Sequence, residues 1–140
     1  MHYSLEYQKN PIQADENLLF KGIDADAAKK KGMRPIEAFQ VIARDGKKAI
    51  LGGISGVFIF GCLYVDMLWV DELHRQTGLG TKLMEEAERN AREKGCTFAT
   101  LNTMDWQALP FYQKLGYQIE FIREGFENSS KMYLLRKKLS

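Results

Sequence analysis

Few features of this sequence mark a specialised environment. Its 140 residues include two cysteines, Cys62 and Cys96, with no short Cys or His spacing around either. That argues against a zinc cluster and a secreted disulfide framework, and fits a reducing cytoplasm. Charge of one sign is also scarce: 20 Lys and Arg against 18 Asp and Glu leave a formal +2. The clustered basic stripe of a dedicated nucleic-acid binder is missing. Met1 to Lys9 is polar, without the apolar stretch of a secretory leader. The uncharged run Ala49 to Val65 is broken by Gly52, Gly53, Gly56 and Gly61 and then meets Asp66. A membrane span needs about 20 predominantly apolar residues, and the Val, Ile, Phe and Tyr of this run suit paired strands better. No internal repeat, low-complexity tract or long linker divides the chain. What is present is 45% apolar and 27% charged residues, the composition of one soluble domain over residues 1–140. At this size about 68 to 70% of the extended surface is buried on folding, so the core needs no disulfide or metal staple. The partners expected are small molecules or single protein side chains, with neither nucleic acid nor membrane.

Local patterns give an order of elements. His2 to Gln8 is a weak first strand. Asn10 and Pro11 resemble an N-cap and a first helical proline, with Gln13 placed to close a capping box; a helix then runs to Lys21, where Gly22 can end it. A second helix starts near Asp24 and ends in Lys29, Lys30, Lys31 and Gly32, cations and then a glycine able to take the left-handed cap. Ile36 to Arg44 and Lys47 to Phe58 flank Asp45-Gly46, a dipeptide suited to a tight hairpin turn with two positive φ angles. Gly61 turns the chain again into Cys62 to Val70, a richly apolar central strand. Gly78 to Lys94 carries Leu79, Leu83, Met84, Ala87 and Ala91 at helical spacing and closes at Gly95. Thr97 to Asn102 is a strand beyond that helix, which implies a parallel crossover. Pro110 to Leu115 is a short helix ended by Gly116, and Tyr117 to Ile122 and Met132 to Leu139 form a final antiparallel pair.

The chemistry concentrates where the central strand meets the long helix. From Leu68 to Thr81 a buried strand runs through a glycine-containing loop directly into a helix, so amides without intrahelical partners point out of the helix start and, with the helix dipole, form an anion site. Gly78 and Gly80 have no side chains to hold a phosphate away, and Arg75 adds positive charge; a pyrophosphate fits. The Walker pattern fails because Lys82 follows Thr81 rather than a glycine. The dinucleotide fingerprint fails because Leu83 stands where a third glycine or alanine belongs.

The pattern present is Arg-x-x-Gly-x-Gly at Arg75 to Gly80, with Val70 five positions before the arginine. It resembles the cofactor motif of the GNAT superfamily of acyl-coenzyme A dependent N-acetyltransferases. Downstream, Asn102 closes the next strand, and Ala108 to Tyr117 is similar to the family's second motif, in which Phe or Leu precedes a tyrosine and Gly-Phe or Gly-Tyr follows. The resemblance covers nearly the whole chain. It implies an α/β fold (α+β in some schemes): a three-layer domain with a mixed, mostly antiparallel sheet of six to seven strands, helices on both faces, and a splay between strands 4 and 5. It implies acetyl-coenzyme A as cosubstrate, no metal, and transfer of an acetyl group to a primary amine. Arg75, Gln76, Thr77, Gly78, Leu79, Gly80 and Thr81 would hold the pyrophosphate, Leu68 and Val70 the pantetheine and thioester across the splay, and Asn102 would also meet the cofactor. The sequence departs from the family at Asp105, where many members carry an asparagine that contacts the pantetheine arm, and no contact is assigned to it. Asp71 and Glu72 replace a common proline-containing turn and must point away from the phosphates.

Acetyl transfer needs a held donor, a neutral amine, oxyanion stabilisation and a proton for the departing sulfur. Tyr112 is the candidate acid: a phenol with a reference pKa near 10 stays protonated at neutral pH beside a thiolate leaving group of pKa about 8.5. The resemblance favours this role over that of a core tyrosine. Asp66 is the candidate base. It is an acid in an otherwise apolar strand, on the face of Tyr64 and Leu68 by alternation, and burial would raise its pKa; a structural carboxylate is the equal alternative. Trp69 and Trp106 read as core or edge cover, and Cys62 and Cys96 as small apolar groups. The Arg136-Lys137-Lys138 run reads as the solvated end of an edge strand. A noncatalytic acyl-coenzyme A sensor is the alternative function. A homodimer is compatible with so small a domain, although no residue specifies one.

Overall fold

The computed structural model describes residues 1–140, and they divide into two units, Met1–Ile36 and Glu37–Ser140. The first holds one helix, α1 (Gln13–Lys31). Three expectations fail here. His2 to Gln8 forms no strand, and its Tyr3, Leu5 and Tyr7 are exposed. The two expected helices are one, continuous through Gly22, because an interior glycine costs only about 1 kcal/mol relative to alanine. Ile12, not Asn10, stands at the N-cap without a side-chain bond, and the Gln13 side chain donates to Asn17 at 2.8 Å instead of closing a box. The far end follows the sequence: Lys29, Lys30 and Lys31 fill the last turn, and Gly32 takes φ 66°.

The second unit is built on a six-stranded sheet in the order β1-β2-β3-β4-β6-β5. β1 (Glu37–Arg44), β2 (Ile50–Ile59) and β3 (Cys62–Val70) form an antiparallel meander. α2 (Leu79–Glu93) then crosses over to β4 (Phe98–Met104), parallel to β3. α3 (Leu109–Lys114) leads to β5 (Gln118–Phe126), and β6 (Ser130–Lys138) inserts between β4 and β5, antiparallel to both. β6 is therefore interior. Arg136 stacks on Phe98, 3.8 Å from its ring centre, so the C-terminal basic run is not the end of an edge strand.

The hairpin signals exchange places. β1 and β2 are joined by the five residues Asp45 to Ala49, with positive φ at Lys48 rather than at Asp45-Gly46. The Asp45 carboxylate holds this turn by accepting from the Lys47 and Ala49 amides at 2.8 and 2.9 Å. The tight turn with two positive φ angles is Phe60-Gly61, at 51° and 82°, between β2 and β3.

Alternation along β2 and β3 places Ile54, Leu63 and Val65 in the core against Leu83, Met84, Ala87 and Ala91 of α2, with Ala99 and Leu101 of β4 beside them. Each fully buried large side chain contributes roughly 1.5 to 3 kcal/mol. One irregularity shapes the rest. Gly56 pairs with Val65 and Ser55 with Met67, so Asp66 is an extra residue bulged out of the β2–β3 ladder. Only glycine permits this approach, because a Cβ at Gly56 would lie 2.0 Å from the Tyr64 carbonyl oxygen. At the same level β3 leaves β4: their parallel pairing runs from Cys62↔Phe98 to Val65↔Leu101 and stops. Asp66 to Val70 and Asn102 to Met104 then diverge, which is the splay expected between the fourth and fifth strands of the sequence reading.

Candidate active site

The divergent end of β3 feeds a tightly braced loop. Asp71 caps a short 3-10 turn, Glu72–His74, its carboxylate accepting from the Leu73 amide at 3.2 Å and lying 3.0 Å from His74 Nδ1. That negative charge is thereby committed to the loop. Arg75 Nε donates to the Val70 carbonyl at 2.9 Å, and the Thr77 hydroxyl donates to the His74 carbonyl at 2.6 Å. Arg75 thus fixes the loop to the strand end with one nitrogen, leaving the two terminal guanidinium nitrogens for an anion.

α2 starts from Gly78 at φ 87°, with no side-chain cap and no acid in its first turn. Its first backbone bond is Lys82 N–H to the Gly78 carbonyl at 3.1 Å. The amides of Leu79, Gly80 and Thr81 therefore have no intrahelical acceptor and sit at the positive end of the helix dipole. Backbone amides arranged in this way suit an anion.

α3 is drawn to the same place by packing. A Cβ on Gly80 would lie 3.2 Å from Phe111 Cζ, so the absent side chain of Gly80 admits the Phe111 ring. Thr103 Oγ1 accepts from the Ala108 amide at 3.3 Å and anchors the start of α3 to β4. Tyr112 follows, buried, with its ring edge-on to Phe111 at 5.1 Å and to Tyr117 at 6.0 Å. Burial pushes the Tyr112 phenol above the ordinary tyrosine range, so it is a proton donor at neutral pH.

These elements enclose a cleft of about 450 Å³. Leu68 and Val70 come from the splayed part of β3, and Arg75, Gln76, Gly78, Gly80 and Thr81 from the loop and helix start. Tyr112 lies on the α3 side. Thr77, Leu79 and Asn102 do not line the cleft; the Thr77 hydroxyl is spent on His74, and Asn102 is exposed on β4. His74, Ala108 and Phe111 do line it and were missed. Phe111 was visible as the aromatic residue before Tyr112, but its contact with Gly80 joins positions 31 residues apart. Asp66 also lies outside the lining and is exposed, so the desolvation argument for it as a base does not apply. The bulge also breaks the alternation used to place it: Leu68 pairs with Ile54 and Tyr64 with Val57, putting Leu68 and Tyr64 on opposite faces. Trp69 and Trp106 are exposed rather than core residues. Cys62 and Cys96 are buried and not joined in a disulfide, and burial, followed by the neighbouring Cys96, pushes the Cys62 thiol up to about 11, unsuited to a nucleophile.

Comparison with known proteins agrees with this geometry. The sequence model of the Acetyltransferase (GNAT) family matches residues 7–117. The chain is 36% identical over 107 residues to a blasticidin-S acetyltransferase of Streptomyces morookaense, covering 76% of this chain and 79% of that one. An acetyltransferase crystal structure from Bacillus cereus superposes with a TM-score of 0.76 at 26% identity, covering 95% and 97% of the two chains. A Bacillus anthracis protein provisionally named a streptothricin acetyltransferase, crystallised with acetyl coenzyme A, shares the fold with a TM-score of 0.66 at 22% identity, over 75% and 64% of the chains. With its uncapped helix start, its splayed strands and the extent of these matches, the chain belongs to the acetyltransferase (GNAT) family and is an acetyl coenzyme A dependent N-acetyltransferase.

Proposed function

We propose that the protein transfers acetyl from acetyl coenzyme A to the primary amine of a small molecule by direct attack, without a covalent enzyme intermediate. The observation that carries this reading is the run of uncapped α2 amides opening on a cleft that continues along the half of β3 no longer paired with β4 to Tyr112. The Leu79, Gly80 and Thr81 amides, with Arg75 and Gln76, grip the pyrophosphate; Gly78 supplies the turn that aims them, and Thr77 braces the loop. Beyond the last pairing with β4, the Leu68 backbone and the Val70 amide bind the pantetheine amide and polarise the thioester carbonyl through their N–H groups, the Val70 carbonyl being held by Arg75, and Asn102 stands across the gap on β4. The amine nitrogen attacks the carbonyl carbon, the tetrahedral intermediate collapses with cleavage of the C–S bond, and Tyr112 gives its proton to the leaving thiolate. The amine's proton passes through water to Asp66, an exposed carboxylate on the divergent stretch of β3. Solvent then reprotonates Tyr112.

A small-molecule acceptor is supported by the blasticidin-S acetyltransferase among the relatives. The family match crosses from the first unit into the second and supports one N-acetyltransferase domain over residues 1–140. Two cysteines without a disulfide support a reducing, cytoplasmic setting. The test is release of the coenzyme A thiol from acetyl coenzyme A in the presence of blasticidin S, streptothricin, aminoglycosides, polyamines and amino acids. Acceptor-dependent release that collapses in Tyr112→Phe, with cofactor affinity retained, is expected. Tight cofactor binding without release for any amine would identify a sensor instead.

A further inference from the structure

Glu88 is the one acidic residue of the core. It lies on α2 at 3% exposure and outside the cleft. Its carboxylate is satisfied from the link between α3 and β5 and from β6. Oε2 accepts from the Tyr117 hydroxyl at 2.9 Å, and Oε1 from Lys137 Nζ of β6 at 2.7 Å; Arg92, one turn along α2, stands 3.8 Å from Oε1. A buried charge is tolerated only when paired and hydrogen-bonded in this way. The cluster does more than join α2 to the sheet, because Tyr117, with Phe111, is one of the two rings that the Tyr112 ring meets. The Tyr112 and Tyr117 rings meet edge to face at 6.0 Å and 73°, and the Tyr117 amide donates to the Tyr112 carbonyl at 3.1 Å. Burial first, and then the Glu88 charge, push the Tyr117 phenol far above the ordinary tyrosine range, so it remains the donor in its bond to Glu88.

We infer that Glu88 and Tyr117 are positioning residues for acetyl transfer: the Glu88 carboxylate fixes the Tyr117 ring by its hydroxyl, and that ring holds the Tyr112 phenol at its place in the cleft. The inference rests on the proton-donor role of Tyr112 stated above. A purely structural cluster would change stability and leave the chemical step alone, whereas a positioning pair acts on kcat and only through the Tyr112 hydroxyl.

The experiment measures kcat and KM for acetyl coenzyme A, with the fastest amine of the panel above, in Tyr112→Phe, Tyr117→Phe, Glu88→Gln and each combined with Tyr112→Phe. Melting curves check that each variant is folded. Tyr117→Phe is expected to lower kcat about tenfold, with KM for acetyl coenzyme A unchanged, and to lower it no further when Tyr112 is already Phe. Glu88→Gln keeps a partner for the Tyr117 hydroxyl and is expected to lower kcat about threefold, again only while Tyr112 is present; it carries the test alone should Tyr117→Phe not fold. Equal losses in the two backgrounds, or an unchanged kcat with Tyr112→Phe impaired, overturn the positioning role and leave the acid role of Tyr112 standing. An unchanged kcat in Tyr112→Phe, or no turnover with any amine, overturns both.

Discussion

The two glycines of the cofactor motif serve different physical needs. Gly78 sits at φ 87° in open space, so any side chain there meets backbone strain and no neighbour. Gly80 has ordinary backbone angles but faces Phe111, so a side chain there meets a ring. Gly78→Ala should therefore cost about 1 to 2 kcal/mol of stability and, on the proposed function, weaken acetyl coenzyme A binding, because the strained residue opens the helix whose amides are assigned there to the pyrophosphate. Gly80→Ala should cost about 1 kcal/mol by overpacking, recoverable by trimming the neighbour with Phe111→Leu. Urea unfolding of the single and double variants checks this; rescue of Gly78→Ala by Phe111→Leu would contradict the assignment. The sequence alone justified both glycines as clearance for phosphate, since the Phe111 contact joins distant segments. Arg75 was legible as a cation, but its bond to the Val70 carbonyl was not.

At the level of elements, β3, α2 and the parallel crossover were readable because apolar period and glycine punctuation agree there. The hairpins were harder, because a dipeptide preference competes with whatever register the strands adopt. Asp45-Gly46 has the favoured chemistry, yet the Asp45 side chain stabilises a wider turn and the tight one falls at Phe60-Gly61. Gly46 has open space and no positive φ, whereas Gly61 has φ 82°. Gly46→Ala is thus expected to leave stability unchanged or raise it by about 0.4 to 1 kcal/mol, and Gly61→Ala to lower it by about 1 to 2 kcal/mol, both read from unfolding midpoints. The reverse ranking would restore the tight turn to Asp45-Gly46. The Asp66 bulge was invisible for a related reason: alternation assumes an unbroken ladder, and nothing local in Tyr64 to Leu68 announces that Gly56 lets β2 approach so closely.

For the whole molecule, the core carries three acids held above their ordinary ionisation: the Cys62 thiol, at about 11 rather than 9.0, and the Tyr112 and Tyr117 phenols, raised from 10.0 mainly by burial. Below pH 9 they are protonated in both states and their contribution to stability is complete. As pH rises past 9 and then 10, the unfolded chain releases these protons before the folded one does, and stability falls. Unfolding midpoints should accordingly be flat in this respect up to about pH 9 and decline above it, while a midpoint that keeps rising to pH 11 would contradict the burial of these groups. The six-stranded second unit was largely foreseeable, with its family and cofactor loop; the fate of His2 to Gln8 was not, since alternating Tyr3, Leu5 and Tyr7 cannot say whether a neighbouring strand is there to pair. The central claim is that main-chain amides at the start of α2 hold the pyrophosphate while the thioester lies against the stretch of β3 that has parted from β4. Its most direct test is an amide-resolved nuclear magnetic resonance titration with acetyl coenzyme A. The account predicts that the largest shifts at saturation fall on Leu79, Gly80, Thr81 and the stretch Asp66 to Val70. Saturable binding that leaves those amides unmoved and shifts others instead would contradict it.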